Sequence, residues 1–227
     1  MPILYLRAIL AAAATAWDPI ETPQTSDEFS DASALGQQWE WNHNPDDDNW
    51  SLKARPGFLR LKAAYAPNLL HARNTLTQQM QYRDFDLTTR MDVSGMKDGQ
   101  RAGLVMFGVH PSSIGVVQAD GERSLVFTDS AGDVKIAPLR DKTVQLRMHV
   151  EDGSVRYSYS LDDGRTFQPA GPANPFAFSW WKASRPGLFT FTSQSGRVSG
   201  RIDVDWVRCH PLDGSATHLL PGGDDRR

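Results

Sequence analysis

The stretch from Trp39 to Trp50, WEWNHNPDDDNW, concentrates residue types that could bind a sugar. A second stretch, LLHARNTLTQ, adds a histidine, an arginine and an asparagine. Aromatic faces pack on the C–H surfaces of pyranose rings, and nearby polar side chains bond the hydroxyls. The sequence therefore predicts a shallow carbohydrate-binding surface, and its candidate residues are Trp41, His43, Asn44, Asp47, His71, Arg73 and Asn74.

The same residues have structural interpretations. Large aromatic side chains in a β-sandwich are usually buried, so we expect Trp39 and Trp206 in the core and Trp50 at its edge. Trp41 fits either the core or a sugar-facing surface. Arg73 could instead form a buried ion pair with one of the aspartates at positions 46–48.

The carboxylates do not form a recognisable catalytic or EF-hand motif. Glycoside hydrolysis ordinarily needs two carboxylates across the bond, and the five glutamates of this chain are scattered. The E-x-D-x-x-E strand of laminarinase-type sandwiches is absent from the sequence. The run NPDDDNW lacks the spacing and the glycine of a calcium loop, so we expect a turn there.

The candidate residues must be positioned by β-strands, because apolar residues recur at every second position along much of the chain. TVQLRMHV, SVRYSYSL and FDLTTRMDV each place apolar residues on one face of a strand. About eleven such short segments, separated by turns rich in Gly, Asp and Pro, predict an all-β antiparallel β-sandwich of the jelly-roll type. SLDDGRTF also matches the Asp-box pattern, but it occurs once, which favours an ordinary hairpin over a propeller.

Length and composition fit one domain of the 227 residues. We expect a signal-like or linker segment at 1–25, a sandwich at 26–212 and a flexible tail at 213–227. A net charge of −3 does not favour nucleic acid, and no apolar run is long enough to span a membrane. Cys209 is the single cysteine, so no internal disulfide can form.

Several pieces, read in order, resemble one known module: ETPQTSDEFSDASALGQQWEWNHNPDDDNWSL, RPGFLRL, LLHARNTLTQ, DVSGMKDGQRAGLVMFG, YSLDDGRTF and DVDWVR. Together they resemble the C-terminal concanavalin A-like β-sandwich of glycoside hydrolase family 43 enzymes, the β-xylosidases and α-arabinofuranosidases. In that family a separate five-bladed propeller carries the catalytic carboxylates. The resemblance thus implies an accessory module, since only a short segment precedes the sandwich here.

The resemblance also implies further features. Related sandwiches lend a loop to the neighbouring propeller, and GVHPSSIGV at 108–116 is the equivalent segment, although it lacks the expected Asp-Tyr. Sandwiches of this type often hold a structural calcium ion between their first and last strands. Glu28 and Asp205 are the candidate ligands.

The favoured function is therefore a carbohydrate-binding module for xylan or arabinoxylan, polysaccharides of the plant cell wall. The alternatives are a docking partner of a separately encoded propeller hydrolase and a stand-alone glycoside hydrolase. The N-terminal apolar run suggests a secreted or periplasmic protein, with a cytoplasmic location as the alternative. One of Trp180 and Trp181 is expected to plug the end of the sandwich, and the other could face a ligand or a propeller.

Overall fold

The computed structural model describes residues 24–176, 183–196 and 200–212. Its regular structure there consists of sixteen β-strands and two single-turn 3₁₀ helices. The strands are β1 (Trp39–Trp41), β2 (Trp50–Ser51), β3 (Leu59–Lys62), β4 (Ala64–Tyr65), β5 (Leu76–Gln78), β6 (Phe85–Asp92), β7 (Gln100–Phe107), β8 (Ser112–Ala119), β9 (Glu122–Asp129), β10 (Gly132–Pro138), β11 (Thr143–Glu151), β12 (Ser154–Ser160), β13 (Gln168–Pro169), β14 (Asn174–Pro175), β15 (Arg185–Thr192) and β16 (Arg201–Pro211). The 3₁₀ helices are Asp47–Asn49 and Leu69–His71.

Two eight-stranded sheets pack face to face. The front sheet has the order β1-β5-β15-β7-β8-β9-β10, with β4 added in parallel to β15. The back sheet has the order β13-β12-β11-β6-β16-β3-β2, with β14 added to β12. All other pairings are antiparallel, so the predicted all-β antiparallel sandwich is confirmed.

The core lies between the sheets and follows the predicted alternation. On β11, Val144, Leu146, Met148 and Val150 are all buried in one cluster, and residues from both sheets surround them. The intervening side chains point away from the core, where they form polar pairs such as Arg147 with Thr88. Burial of these apolar side chains is the main force that holds the two sheets together.

A β-bulge on β16 makes the expectation that Trp206 lies in the core wrong. The pairing of β16 with β6 shifts register between Val204 and Trp206. A bulge adds one residue to a strand and reverses which face the following side chains occupy. Val207 is therefore buried in the core, whereas Trp206 is only partly buried and packs under the guanidinium of Arg208 at 4.2 Å.

The Asp-box-like segment is a hairpin turn, as expected, and its aspartate organises it. The carboxylate of Asp162 accepts hydrogen bonds from the backbone N–H and the hydroxyl of Thr166, at 2.9 and 2.7 Å, and from Ser160 Oγ at 2.7 Å. These bonds lower the pKa of Asp162 to about 2. Phe167 lies outside the core, 3.7 Å below the Arg147 guanidinium.

Several expectations concern segments outside the described residues. Trp180, Trp181 and the tail at 213–227 are among them, as is the N-terminal segment apart from residues 24 and 25. Thr25 is buried, and its carbonyl accepts a hydrogen bond from Gln78 Nε2 at 3.1 Å. Within the described part of the chain, no helix is long and apolar enough to cross a membrane.

Candidate functional site

The structure brings the two predicted sugar-binding stretches together. β1 pairs with β5, which places the loop after Trp41 beside the segment before Leu76. His43 Nε2 lies 2.8 Å from the Leu70 carbonyl oxygen. Arg73 Nε donates to the Asn44 carbonyl at 3.1 Å. The predicted residues are therefore neighbours in space.

Their polar groups mainly hold these loops to each other. Asn74 is only 2% exposed, and its Nδ2 donates to the Asp46 carbonyl at 3.1 Å. Asp47 Oδ1 accepts a hydrogen bond from Trp50 Nε1 at 3.0 Å. His71 Nδ1 lies 2.7 Å from the side-chain oxygen of Asn68. A role for these residues in sugar binding stays a prediction.

The burial of Trp39, Trp41 and Arg73 decides whether each residue belongs to the core, to its edge or to an ion pair. Trp39 is buried in the core as expected, and its Nε1 donates to Asp27 Oδ2 at 2.8 Å. Trp41 is partly buried against the core, with its ring 5.4 Å from that of Trp50. Arg73 is exposed and bonded to a backbone carbonyl, so the alternative of a buried ion pair is wrong.

The predicted metal ligands do not fit a calcium site. Both oxygens of Glu28 accept hydrogen bonds from Arg208, at 2.7 and 3.0 Å. Asp205 Oδ2 is 2.6 Å from Arg90 Nη1. In the described ranges, no group of three or more His, Cys, Asp or Glu side chains could hold a metal ion. Arginine already neutralises each carboxylate, and calcium itself needs six to eight oxygen ligands.

A groove lies on the outer face of the front sheet. Its volume is about 440 Å³. Its lining comes from the 67–70 segment, the loop between β7 and β8, the hairpin between β9 and β10, and the outer face of the strands between them. The lining residues are Pro67, Asn68, Leu69, Leu70, Arg101, Val109, His110, Pro111, Ser113, Thr128, Asp129, Ser130, Asp133, Phe189, Phe191 and Ser193. None of the seven predicted sugar-binding residues is among them.

Two glycines make room for the apolar side of this groove. Gly103 and Gly115 face each other across β7 and β8. A Cβ on Gly115 would lie 2.4 Å from the Ala102 carbonyl oxygen and 3.3 Å from Phe189 Cζ. The missing side chain thus lets the Phe189 ring lie close to the sheet. The Phe189 ring belongs to a second apolar cluster. Its other members are Ala66, Leu69, Ala72, Val105, Phe107 and Phe191.

The opposite side of the groove is an ion pair framed by a hydroxyl. Arg101 Nη1 and Nη2 each contact one carboxylate oxygen of Asp133 at 2.7 Å. Thr128 Oγ1 donates to Asp133 Oδ1 at 2.8 Å and accepts from Arg101 Nη2 at 3.1 Å. The guanidinium of Arg101 lowers the pKa of Asp133 below its ordinary value of 3.8. Asp133 is therefore ionised at neutral pH.

The mouth of the groove is apolar. Leu70 is 41% exposed and Val109 is 59% exposed, although both are large hydrophobic residues. Pro67 and Pro111 stand beside them in the lining. Val109 and Pro111 belong to the 108–116 segment that the sequence singled out, so that segment does border a cavity of this chain.

Sequence reasoning missed this groove, although a signal was present. β7 contains LVMF and β15 contains GLF, runs in which consecutive residues are apolar. A strand with apolar residues on both faces is covered on both faces. These runs indicate a second packed layer outside the sandwich, and the groove opens beside that layer.

An all-β sandwich of two antiparallel sheets, with an open groove on the outer face of one sheet, defines the chain as a concanavalin A-like sandwich module. The family model "Beta xylosidase C-terminal Concanavalin A-like domain" matches residues 26–210. The chain therefore belongs to that family.

Relatives agree with this assignment. A β-xylosidase of Formosa agariphila is 36% identical over 212 residues, which cover 83% of this chain and 35% of the relative. A putative β-xylosidase of Escherichia coli is 32% identical over 171 residues, covering 70% of this chain and 31% of the relative. This chain thus spans about a third of these curated relatives' length.

Solved structures show the same sandwich within longer enzymes. A bifunctional GH43-CE protein of Bacteroides eggerthii has a TM-score of 0.75 at 29% identity, with coverage of 82% of this chain and 26% of that one. A GH43 glycoside hydrolase engineered for both endo-xylanase and exo-arabinofuranosidase activity has a TM-score of 0.76 at 26% identity. The match covers 87% of this chain and 42% of that enzyme's chain.

Proposed function

We propose that this chain is the accessory sandwich of a xylan-degrading glycoside hydrolase system and binds xylan-derived oligosaccharides in the front-sheet groove. The observation that carries the proposal is the two-sided groove, which has Leu69, Leu70 and the two phenylalanines on one side and Arg101, Thr128 and Ser113 on the other. A sugar ring has the same division into C–H faces and hydroxyls. The relatives named as β-xylosidases support xylan as the substrate class.

The ligand is held by a partly open surface, so binding should be weak. A shallow site of this kind corresponds to a Kd on the order of 0.1 to 1 mM, or about 4 to 5 kcal/mol of binding free energy. Arg101 is fixed by Asp133 before any ligand arrives, which reduces the ordering cost on binding.

The carboxylates of the groove favour binding over hydrolysis. Asp129 and Asp133 both line it, and a glycosidase would need one such group as a protonated general acid. The lowered pKa of Asp133 keeps that group ionised. Asp129 Oδ1 accepts the Ala131 N–H at 2.8 Å and so stabilises the turn between β9 and β10.

The test is isothermal titration of xylohexaose into the chain, compared with Arg101→Gln and Thr128→Val. Both substitutions remove polar groups from the groove, and neither side chain is in the core. Arg156→Gln is the matched control, because Arg156 lies on the back sheet and its ion pair to Glu151 is long, at 3.6 Å. We expect saturable heat in the parent and in the control, and at least a several-fold weaker Kd in both groove variants. A flat trace from folded parent protein would overturn the proposal for xylan.

The exposed groove mouth favours a second candidate, docking on a propeller hydrolase domain. Exposed large apolar side chains at one place often mark a protein contact. We expect Leu70→Asp and Val109→Asp to abolish association with the propeller in a sedimentation assay if this candidate holds. Unchanged association, with lost xylohexaose binding, would leave the sugar site as the function of the groove.

A further inference from the structure

A second depression lies at the β1 edge of the front sheet and is lined mainly by glutamine. Its volume is about 470 Å³. The described lining residues are Gln24, Gly36, Gln37, Gln38, Glu40, Gln79 and Gln81. No motif in the sequence marked it, because its residues come from three separate segments.

The chemistry of this glutamine-lined depression is neutral and rich in hydrogen-bonding groups. Each glutamine amide offers two donors and one carbonyl acceptor. Its carboxylate, Glu40, is paired with Arg185, and its Oε1 also accepts from Gln79 Nε2 at 3.3 Å. Because the single negative charge is compensated, the depression favours an uncharged ligand over an ionic one.

Some of these amides are available to a ligand. Gln37 and the partly buried Gln81 have no hydrogen-bond partner for their amides within the described ranges. Both amides are open to solvent, so a ligand hydroxyl can bond them without breaking a hydrogen bond within the described part of the protein.

Another amide is held in position by the local backbone. Gly36 has no side chain, and a Cβ there would lie 2.3 Å from Gln38 Oε1. The Gln38 amide can therefore fold back over the turn, where its Nε2 lies 3.4 Å from both Ser26 O and Asp27 Oδ2. A donor and acceptor fixed in advance lose less entropy when a ligand binds.

The depression shares a sheet face with the front-sheet groove. A row of paired residues runs from Glu40 through Thr77, Gly187 and Val105 to Ser113, which lines the groove. Paired residues point to the same face of a sheet, so both cavities open on one side of the domain. Four strand spacings separate Glu40 from Ser113, which corresponds to about 19 Å.

We infer that the glutamine-lined depression is a second carbohydrate-binding site, which takes an uncharged oligosaccharide through glutamine amides. The choice of xylo-oligosaccharide as ligand rests on the proposed function, whereas the site itself rests on its own residues. Because Glu40 and Ser113, which line the two cavities, are about 19 Å apart, a short sugar should occupy each cavity independently.

The test is a two-dimensional ¹⁵N NMR titration of the whole chain with xylotetraose, in which the glutamine side-chain NH₂ signals are followed. Gln79→Ala and Gln81→Ala assign the two signals by their disappearance. Gln168→Ala supplies the control signal, since Gln168 lies on the back sheet, where its Oε1 accepts from Tyr159 Oη at 2.8 Å. Arg101→Gln disables the groove in a parallel titration.

We expect the Gln79 and Gln81 signals to shift saturably in the parent and equally in Arg101→Gln, while the Gln168 signal stays in place. That result would support the depression even if the groove binds nothing. Stationary Gln79 and Gln81 signals at ligand concentrations that saturate the groove signals would overturn the inference and leave the proposed function intact. Stationary signals throughout the spectrum would overturn both.

Discussion

Replacing Asp203 by asparagine should destabilise the sandwich strongly. Asp203 lies on β16 opposite Arg60 of β3 and is only 6% exposed. Its Oδ1 accepts from Arg60 Nε at 2.7 Å, and its Oδ2 accepts from Arg60 Nη2 at 2.9 Å and from Arg55 Nη1 at 3.1 Å. This carboxylate therefore bridges two arginines on the outer face of the back sheet, and Arg55 also pairs with Asp92 at 2.8 Å.

The expected loss in the free energy of unfolding follows from the burial of Asp203, Arg60 and Arg55. Removing one partner of a fully buried ion pair costs about 3 to 5 kcal/mol. Here the side chain of Arg60 is 19% exposed, so water can partly solvate its guanidinium group, and Arg55 keeps its pair with Asp92 at 2.8 Å. We expect a loss of about 2 to 3 kcal/mol from the free energy of unfolding. For a chain of this size that corresponds to a Tm lower by about 4 to 12 °C.

The assay is urea and thermal unfolding followed by tryptophan fluorescence, with Asp152→Asn as the matched control. Asp152 also pairs with an arginine at 2.8 Å, but the side chains of Arg83 and Asp152 are 65% and 79% exposed. Exposed pairs contribute less than about 1 kcal/mol. An equal loss of stability in the two variants would refute the argument that burial sets the strength of the Asp203 pair.

Three further predictions concern single groups. Since the folded-state pKa of Asp162 is about 2 against an ordinary 3.8, its stabilising effect should be complete above about pH 5 and lost as the pH falls towards 2. The unfolding free energies of the parent and Asp162→Ala should therefore converge at acidic pH, and a constant gap would contradict this. Burial raises the pKa of Cys209 to about 12, so a thiol reagent such as DTNB should label it only in denaturant. EDTA should leave the Tm unchanged, because arginines neutralise both candidate calcium ligands; a lower Tm would restore the calcium prediction.

The architecture was predictable because alternation is a local property. The apolar positions of β6, β11 and β12 repeat every second residue, and burying them on one face requires two sheets. The glycine- and aspartate-rich turns fix where one strand ends and the next begins. The side chains of β10 are mostly exposed, so the sequence of that strand carries little apolar pattern.

The bulge on β16 shows where that local logic fails. Up to Val204 the alternation is regular, and the sequence gives no sign that Val207 rather than Trp206 will be buried. The shift depends on how β16 meets β6, two strands more than a hundred residues apart in the chain. Register between distant strands is set by tertiary pairing, and a single extra residue reverses the face of all that follow.

The candidate site was likewise predictable only in part from the sequence. The sequence by itself determined the fold class and the burial of Trp39, and it identified the two polar stretches around His43 and Arg73 as candidates. Only the tertiary structure decided that those groups bond to each other and that the cavities lie elsewhere. Arg101, Thr128 and Phe189 come from three different strands. Only the pairing order of those strands makes them neighbours, and strand order is not written in any local pattern.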